Sequence, residues 1–359
     1  MKAPDVTLRL RRTLTCIVAL AAVPASTFSS AAAQEGMPRY RFGGADIYGT
    51  DAITVEAFDH RFGDRARALL PAIQAQDGEA IDSLLQSIGG ELRALDDIVW
   101  TDLGLIFQPS DTTAYITFDV VVRADSARRL AYAPAPTGQV PDPGGLLALW
   151  QAYEERFLST MMQGASPAHA TRENCPALHC LGGFGHDTAL ARYESAFVEH
   201  TPDHTQVLLR VLREDADEVD RGAAAYLLAH AGMPDTVVAA LVDAMRDPGA
   251  LVRNNATRVL MMAVQFDADL GVPLGPVIRN IDAPTTTSRN KALYLLLGLA
   301  GRPEHHQRIA REAGPALLRL LRLIQPNNHD PAWQVLKEIS GESFGDRDYA
   351  AWERWLEGR

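Results

Sequence analysis

Cysteine, lysine and long apolar runs are all scarce in this 359-residue chain, and each scarcity narrows what it can be. There are three cysteines, Cys16, Cys175 and Cys180, and three lysines, Lys2, Lys291 and Lys337. Nearly every cation is therefore arginine, a bias expected of a GC-rich coding sequence and no sign of arginine chemistry. Beyond the first 33 residues no stretch approaches the roughly 20 apolar residues a spanning helix needs. Catalytic signatures are absent too. There is no Gly-x-Ser-x-Gly elbow and no His-Glu-x-x-His helix, and Gly182-Gly183-x-Gly185 lacks the Gly-Lys-Ser/Thr ending that cradles phosphate. The sequence therefore predicts no catalytic residue, no cofactor and no enzyme activity.

What is present begins with an export signal. Lys2, Arg9, Arg11 and Arg12 precede the apolar run Leu14 to Ala25, and Ala31-Ala32-Ala33 follows before Gln34. A basic start, a short apolar stretch and small residues at the end are the layout of a cleaved secretory signal over residues 1–33. Retention of this segment as an anchor is the alternative. Removing it takes four positive charges and one negative from a chain of net charge −11, leaving −14. An acidic periplasmic or secreted protein without a membrane span is the expectation. That balance excludes nucleic acid and anionic membrane surfaces as partners.

Residues 34–51 are glycine-rich and polar and read as a flexible lead-in. A small α/β module follows over 52–132. Ala52 to Phe58 is β-rich, Arg65 to Ala75 is apolar-periodic, and Gly78 to Ile88 places Ile81, Leu84, Leu85 and Ile88 on one helical face. Ile98 to Gln108 and Thr113 to Arg123 read as strands around Pro109-Ser110-Asp111. This β-α-α-β-β order resembles the POTRA-like modules of the bacterial envelope. Residues 133–145, with four prolines and three glycines, form a linker. Residues 146–185 hold a connecting helix, striped by Leu146, Leu149, Trp150, Tyr153, Phe157 and Met161, and a cysteine loop.

An internal repeat then decides the fold class over 186–340. Arg221-Gly-Ala-Ala-Ala-Tyr-Leu-Leu, Arg253-Asn-Asn-Ala-Thr-Arg-Val-Leu and Arg289-Asn-Lys-Ala-Leu-Tyr-Leu-Leu align without gaps, their arginines 32 and 36 residues apart. A degenerate copy starts at His329. Between the copies lie Val237 to Met245, Pro273 to Ile281 and Ile309 to Leu323, giving two short helices per repeat. Asp247…Val252-Arg253 in particular resembles the HEAT repeat, whose second helix follows an Asp and opens with Val-Arg. The resemblance implies an α+β module followed by an all-α HEAT-like solenoid, with an Asp–Arg ladder across the turns. Gly341 to Arg359 closes it as a cap, with Tyr349, Trp352, Trp355 and Leu356 on one face.

Two constellations remain. Cys175-x3-His179-Cys180-x5-His186 holds four potential zinc ligands, but its spacing is not a common zinc spacing. A Cys175–Cys180 disulfide is the preferred reading in an oxidising compartment, with no metal site. The second is the row Arg253, Asn254, Arg258, Arg289, Asn290, Lys291, Asn327, Asn328 and His329 at the helix starts. It reads either as helix caps and ladder or as a partner-binding strip. The expectation is a non-catalytic exported scaffold that binds another protein through its repeats. The alternative is a zinc-binding or hydrolytic envelope protein centred on Cys175 to His186.

Overall fold

The structure, a computed structural model, describes residues 39–108, 111–162 and 188–359. Within them the chain is mostly helical, with one three-stranded sheet near its start. The signal segment, Cys175, Cys180, His179 and His186 lie outside the described residues.

The first strand, β1 (Arg41–Tyr48), falls where the sequence reads as lead-in. Its glycines belong to the strand. A Cβ on Gly43 would come within 2.4 Å of the Thr113 side chain and 2.7 Å of Tyr115, and the register slips between Phe42 and Gly44. Ala52 to Phe58, expected as a strand, instead opens helix α1 (Val55–Gln74), because Thr54 caps it by accepting from the Ala57 amide. Helix α2 (Gly78–Leu95) follows with Asp77 as its cap. Strands β2 (Ile98–Gln108) and β3 (Thr113–Val122) complete the sheet in the order β1-β3-β2, with β1 parallel and β2 antiparallel to β3. A short helix, α3 (Arg123–Arg129), ends the module.

Alternation along the strands gives the sheet two faces. Ala45, Ile47, Leu103, Ile116, Phe118 and Val120 pack against Phe58, Phe62, Leu69, Ile81, Ile88 and Leu92 of α1 and α2. The other face carries Asp46, Tyr48, Thr117 and Asp119, all buried. A polar face that is buried needs partners, and these come from far along the chain.

The remaining helices are α4 (Leu146–Met162), α5 (Thr188–Glu214), α6 (Glu218–Leu227), α7 (Asp235–Ala244), α8 (Ala250–Phe266), α9 (Leu274–Asn280), α10 (Thr286–Ala300), α11 (Pro303–Leu321), α12 (Pro326–Ser340) and α13 (Tyr349–Glu357). No helix among the described residues is long and apolar enough to cross a membrane.

The chain divides into two compact units that do not follow sequence order. The first joins the stretch ending at Ala131 to Ile281–Asn290 and Ala310–Arg359. Its C-terminal helix α13 buries Trp352 completely, with Phe344 packed edge-on at 5.1 Å. The second joins Tyr132–Asn280 to Lys291–Ile309. Its core holds Trp150, Tyr153, Phe197 and Tyr226, with Trp150 and Tyr226 only 3.8 Å apart at their centroids.

Candidate functional site

Three aligned arginines occupy three equivalent positions. Arg221 Nη1 donates to the carbonyls of Asp215 and Ala216 at 2.9 and 3.0 Å. Arg253 Nη1 does so to Asp247 and Pro248 at 2.6 and 2.9 Å, and Arg289 Nη1 to Ala283 and Pro284 at 3.0 Å each. Each guanidinium thus folds back from the first turn of its helix onto the carbonyls six and five residues earlier. Those carbonyls lie in a turn and have no helical donor to satisfy them.

The rest of each guanidinium differs. Arg221 makes a bidentate pair with Asp247 of the following turn, at 2.9 and 2.8 Å. Arg253 stacks over the Tyr132 ring at 4.2 Å. Arg289 turns to the sheet, where Nη2 meets Asp119 Oδ1 at 2.5 Å, and its Nε donates to Asn328 at 3.2 Å. The expected ladder therefore takes another form. An arginine engages the main chain of the aspartate or alanine six residues back, while its anion, where it has one, comes from another segment.

Within the first unit the polar face of the sheet supplies caps. Asp119 Oδ2 accepts from the amide and hydroxyl of Thr286 at 2.6 and 2.8 Å, at the start of α10. Burial pushes its carboxyl up, and Arg289 and Thr286 pull against that. Asp46 accepts from the amides of Ile324 and Gln325 at 2.8 Å each, before α12. No cation among the described residues is hydrogen-bonded to it, and burial raises its carboxyl to about 7 against those two amides. Asp282 accepts the Tyr48 hydroxyl at 2.5 Å and is paired with Arg128, Arg129 and Arg319. Burial opposes its charge most, yet Arg129, Tyr48 and Arg128 together hold it below the ordinary carboxylate range.

The row proposed from sequence as a partner strip is largely internal. Arg253, Arg289, Asn290, Asn328 and His329 are buried, and Asn254, Arg258, Lys291 and Asn327 are half-buried. Asn290 donates to the Asn327 carbonyl at 2.6 Å and Asn328 to the Thr286 carbonyl at 3.1 Å. These amides tie one helix start to the next, because a buried amide needs a partner and the neighbouring turn presents one. Five of the nine are buried, as helix caps and struts would be, and four keep part of their surface open. Arg258 and Lys291 approach one another in the second unit. Burial lowers both, Lys291 to about 7, with Arg258 adding repulsion, while Glu154 and Tyr226 support the Arg258 charge.

Sequence reasoning missed Asp46 and Asp119 as organisers, and read Asp282 only as the ladder aspartate of Arg289, whereas it meets Tyr48, Arg128, Arg129 and Arg319. The available signal was a charged residue within an apolar strand, Thr117-Phe-Asp119-Val-Val, since a carboxylate there implies a buried donor set.

A cleft of about 770 Å³ opens in the second unit, lined by Gln139, Val140, Pro141, Asp215, Ala216, Asp217 and Asp220. Burial and the neighbouring Asp217, Asp215 and Asp142 carboxylates raise Asp220. Among the described residues no group of three or more His, Cys, Asp or Glu is placed to hold a metal ion. No protein-family model, curated protein or solved structure matches the chain.

Proposed function

We propose that this is a non-catalytic, exported scaffold whose helices stack as a HEAT-like α-solenoid and bind another protein of the cell envelope. The observation that carries the reading is the recurrence of one arginine-to-carbonyl device at Arg221, Arg253 and Arg289, at the sequence period of the repeat. A device reused at intervals of 32 and 36 residues suits the stacking of like units, and its guanidiniums are engaged by the main chain and, at Arg221 and Arg289, by a carboxylate.

The N-terminal sheet acts in this reading as part of the scaffold. Asp119 gives Arg289 the carboxylate that Asp247 gives Arg221. Affinity for a partner then resides on exposed turns and helix faces, since the conspicuous polar row is internal.

The test is reconstitution. Protein lacking residues 1–33 is immobilised and exposed to envelope extract, and the captured protein is purified and remixed with it. A stoichiometric complex from two pure components is expected; no complex on remixing refutes the scaffold reading. A zinc and free-thiol count on the same preparation tests the Cys175–His186 alternative, for which one bound zinc and two reactive thiols is the signature.

A further inference from the structure

Arg258 departs from the repeat in which it sits. It follows Arg253 by five residues, where the two other aligned copies carry Tyr226 and Tyr294. Helices α6 and α8 are tied side by side: Asn255 Nδ2 donates to the Gly222 carbonyl at 3.0 Å, and the Leu251 amide to Glu218 Oε1 at 2.9 Å. About one turn further along, that register brings Tyr226 level with Arg258. Helix α10 lies against α8 in turn, because a Cβ on Gly298 would come within 2.8 Å of the Val264 side chain. About two turns back from that contact, Lys291 comes level with Arg258. Each adds to the field at the other, so two cations share one level of neighbouring helices.

Their surroundings are unlike those of the other repeat arginines. Arg221, Arg253 and Arg289 each donate to main-chain carbonyls. Arg258 Nε is closed off from solvent and has no hydrogen-bond acceptor among the described residues. Glu154 of α4 supports the Arg258 charge from a distance, without an ion pair among the described residues. An N–H withdrawn from water without an acceptor is costly, and a second cation beside it adds to the cost. One oxyanion answers both. The Nε edge of a guanidinium presents parallel donors that match the two oxygens of a carboxylate, and the neighbouring ammonium adds charge.

We infer that Arg258 and Lys291 form a binding site between α8 and α10 for the carboxylate group of a small molecule. This goes beyond the scaffold reading and stands without it.

The probe is acetate, compared with inorganic phosphate and with chloride at equal ionic strength. A chain without residues 1–33 retains only two lysines, Lys291 and Lys337. Trace acylation with an N-hydroxysuccinimide ester, read by peptide mass spectrometry, therefore follows each amine separately, with Lys337 as reference. Acylation needs the neutral amine, and an anion beside Lys291 favours its charged form. In chloride the Lys291 profile should have its midpoint near pH 7. Acetate should move that midpoint up and slow labelling at pH 7 by about threefold, equivalent to half a pH unit, with Lys337 unchanged. Arg258→Met should raise the midpoint in chloride, since a repelling charge is gone, and should lose the response to acetate. Melts give a second reading: acetate should raise the Tm of wild type above that in chloride, and do so less for Lys291→Met, which keeps the test available if Arg258→Met does not fold. Labelling that ignores both anions overturns the inference, as does an equal acetate response in Arg258→Met. A response to phosphate alone overturns the carboxylate assignment.

Discussion

Replacing Arg289 by methionine tests the three-arginine series directly. Arg253→Met removes the same two carbonyl bonds and the contact with Tyr132, but strands no carboxylate. At about 1 kcal/mol for each bond, and slightly less for the ring, it loses roughly 2–3 kcal/mol. Arg289→Met loses two equivalent bonds and also leaves Asp119, whose side chain is 0% exposed, without its cation. Breaking a buried pair from one side costs about 3–5 kcal/mol, so this variant should lose clearly more than Arg253→Met. Adding Asp119→Leu removes the stranded charge and should recover part of the loss. Urea titration followed by far-UV circular dichroism and tryptophan fluorescence reads both effects. Trp100, Trp333, Trp352 and Trp355 report the first unit and Trp150 the second. Equal losses for Arg289→Met and Arg253→Met, or a double variant worse than Arg289→Met alone, would refute the reasoning.

Asp46 has a raised folded pKa of about 7, so it binds a proton that the unfolded chain has released, and its contribution falls as pH rises from about 4 to 7. The span is at most roughly 4 kcal/mol; melts of wild type and Asp46→Asn should converge in slope only if this carboxyl is not the source. His230 is lowered to about 4 by burial, so its stability contribution is present above pH 6.5 and is lost as pH falls toward 4. His230→Phe should therefore flatten the acid side of the melting profile by up to about 3 kcal/mol, and an unchanged acid limb would show the ring is not buried neutral. Gly341 ends α12 with φ +72° in open space, so Gly341→Ala should cost about 1 kcal/mol through backbone strain alone, read as a small fall in Tm.

The repeat was legible because it is local: an arginine, a turn and an apolar helix face recur within one window of sequence. What the arginines touch was not. Arg289 finds Asp119 170 residues away, and no pattern within a window can pair them. The first strand was hidden by glycines that signal flexibility to composition but here admit Thr113 and Tyr115. Ala52 to Phe58 misled in the opposite direction, since β-branched residues at a helix entrance give way to the Thr54 cap. Most of the row from Arg253 to His329 lies near helix starts, though Arg258 falls in the middle of α8, and its exposure could not be read from polarity. Neighbouring helix starts bury asparagine readily when each side-chain amide meets a carbonyl, as Asn290 and Asn328 do.

The first unit has a consequence for how the chain becomes folded. Its sheet is made within the first third of the sequence, yet the amides that Asp46 accepts belong to residues 324 and 325. Asp119 likewise waits for Thr286 and Arg289. During synthesis the sheet therefore carries a face of unmatched carboxylates while more than half the chain is still to come. Closing so long a loop is slow, and contacts of such separation in sequence form late. The N-terminal module is thus completed by the C-terminal helices, and a truncated chain would present a charged, half-built face open to premature pairing.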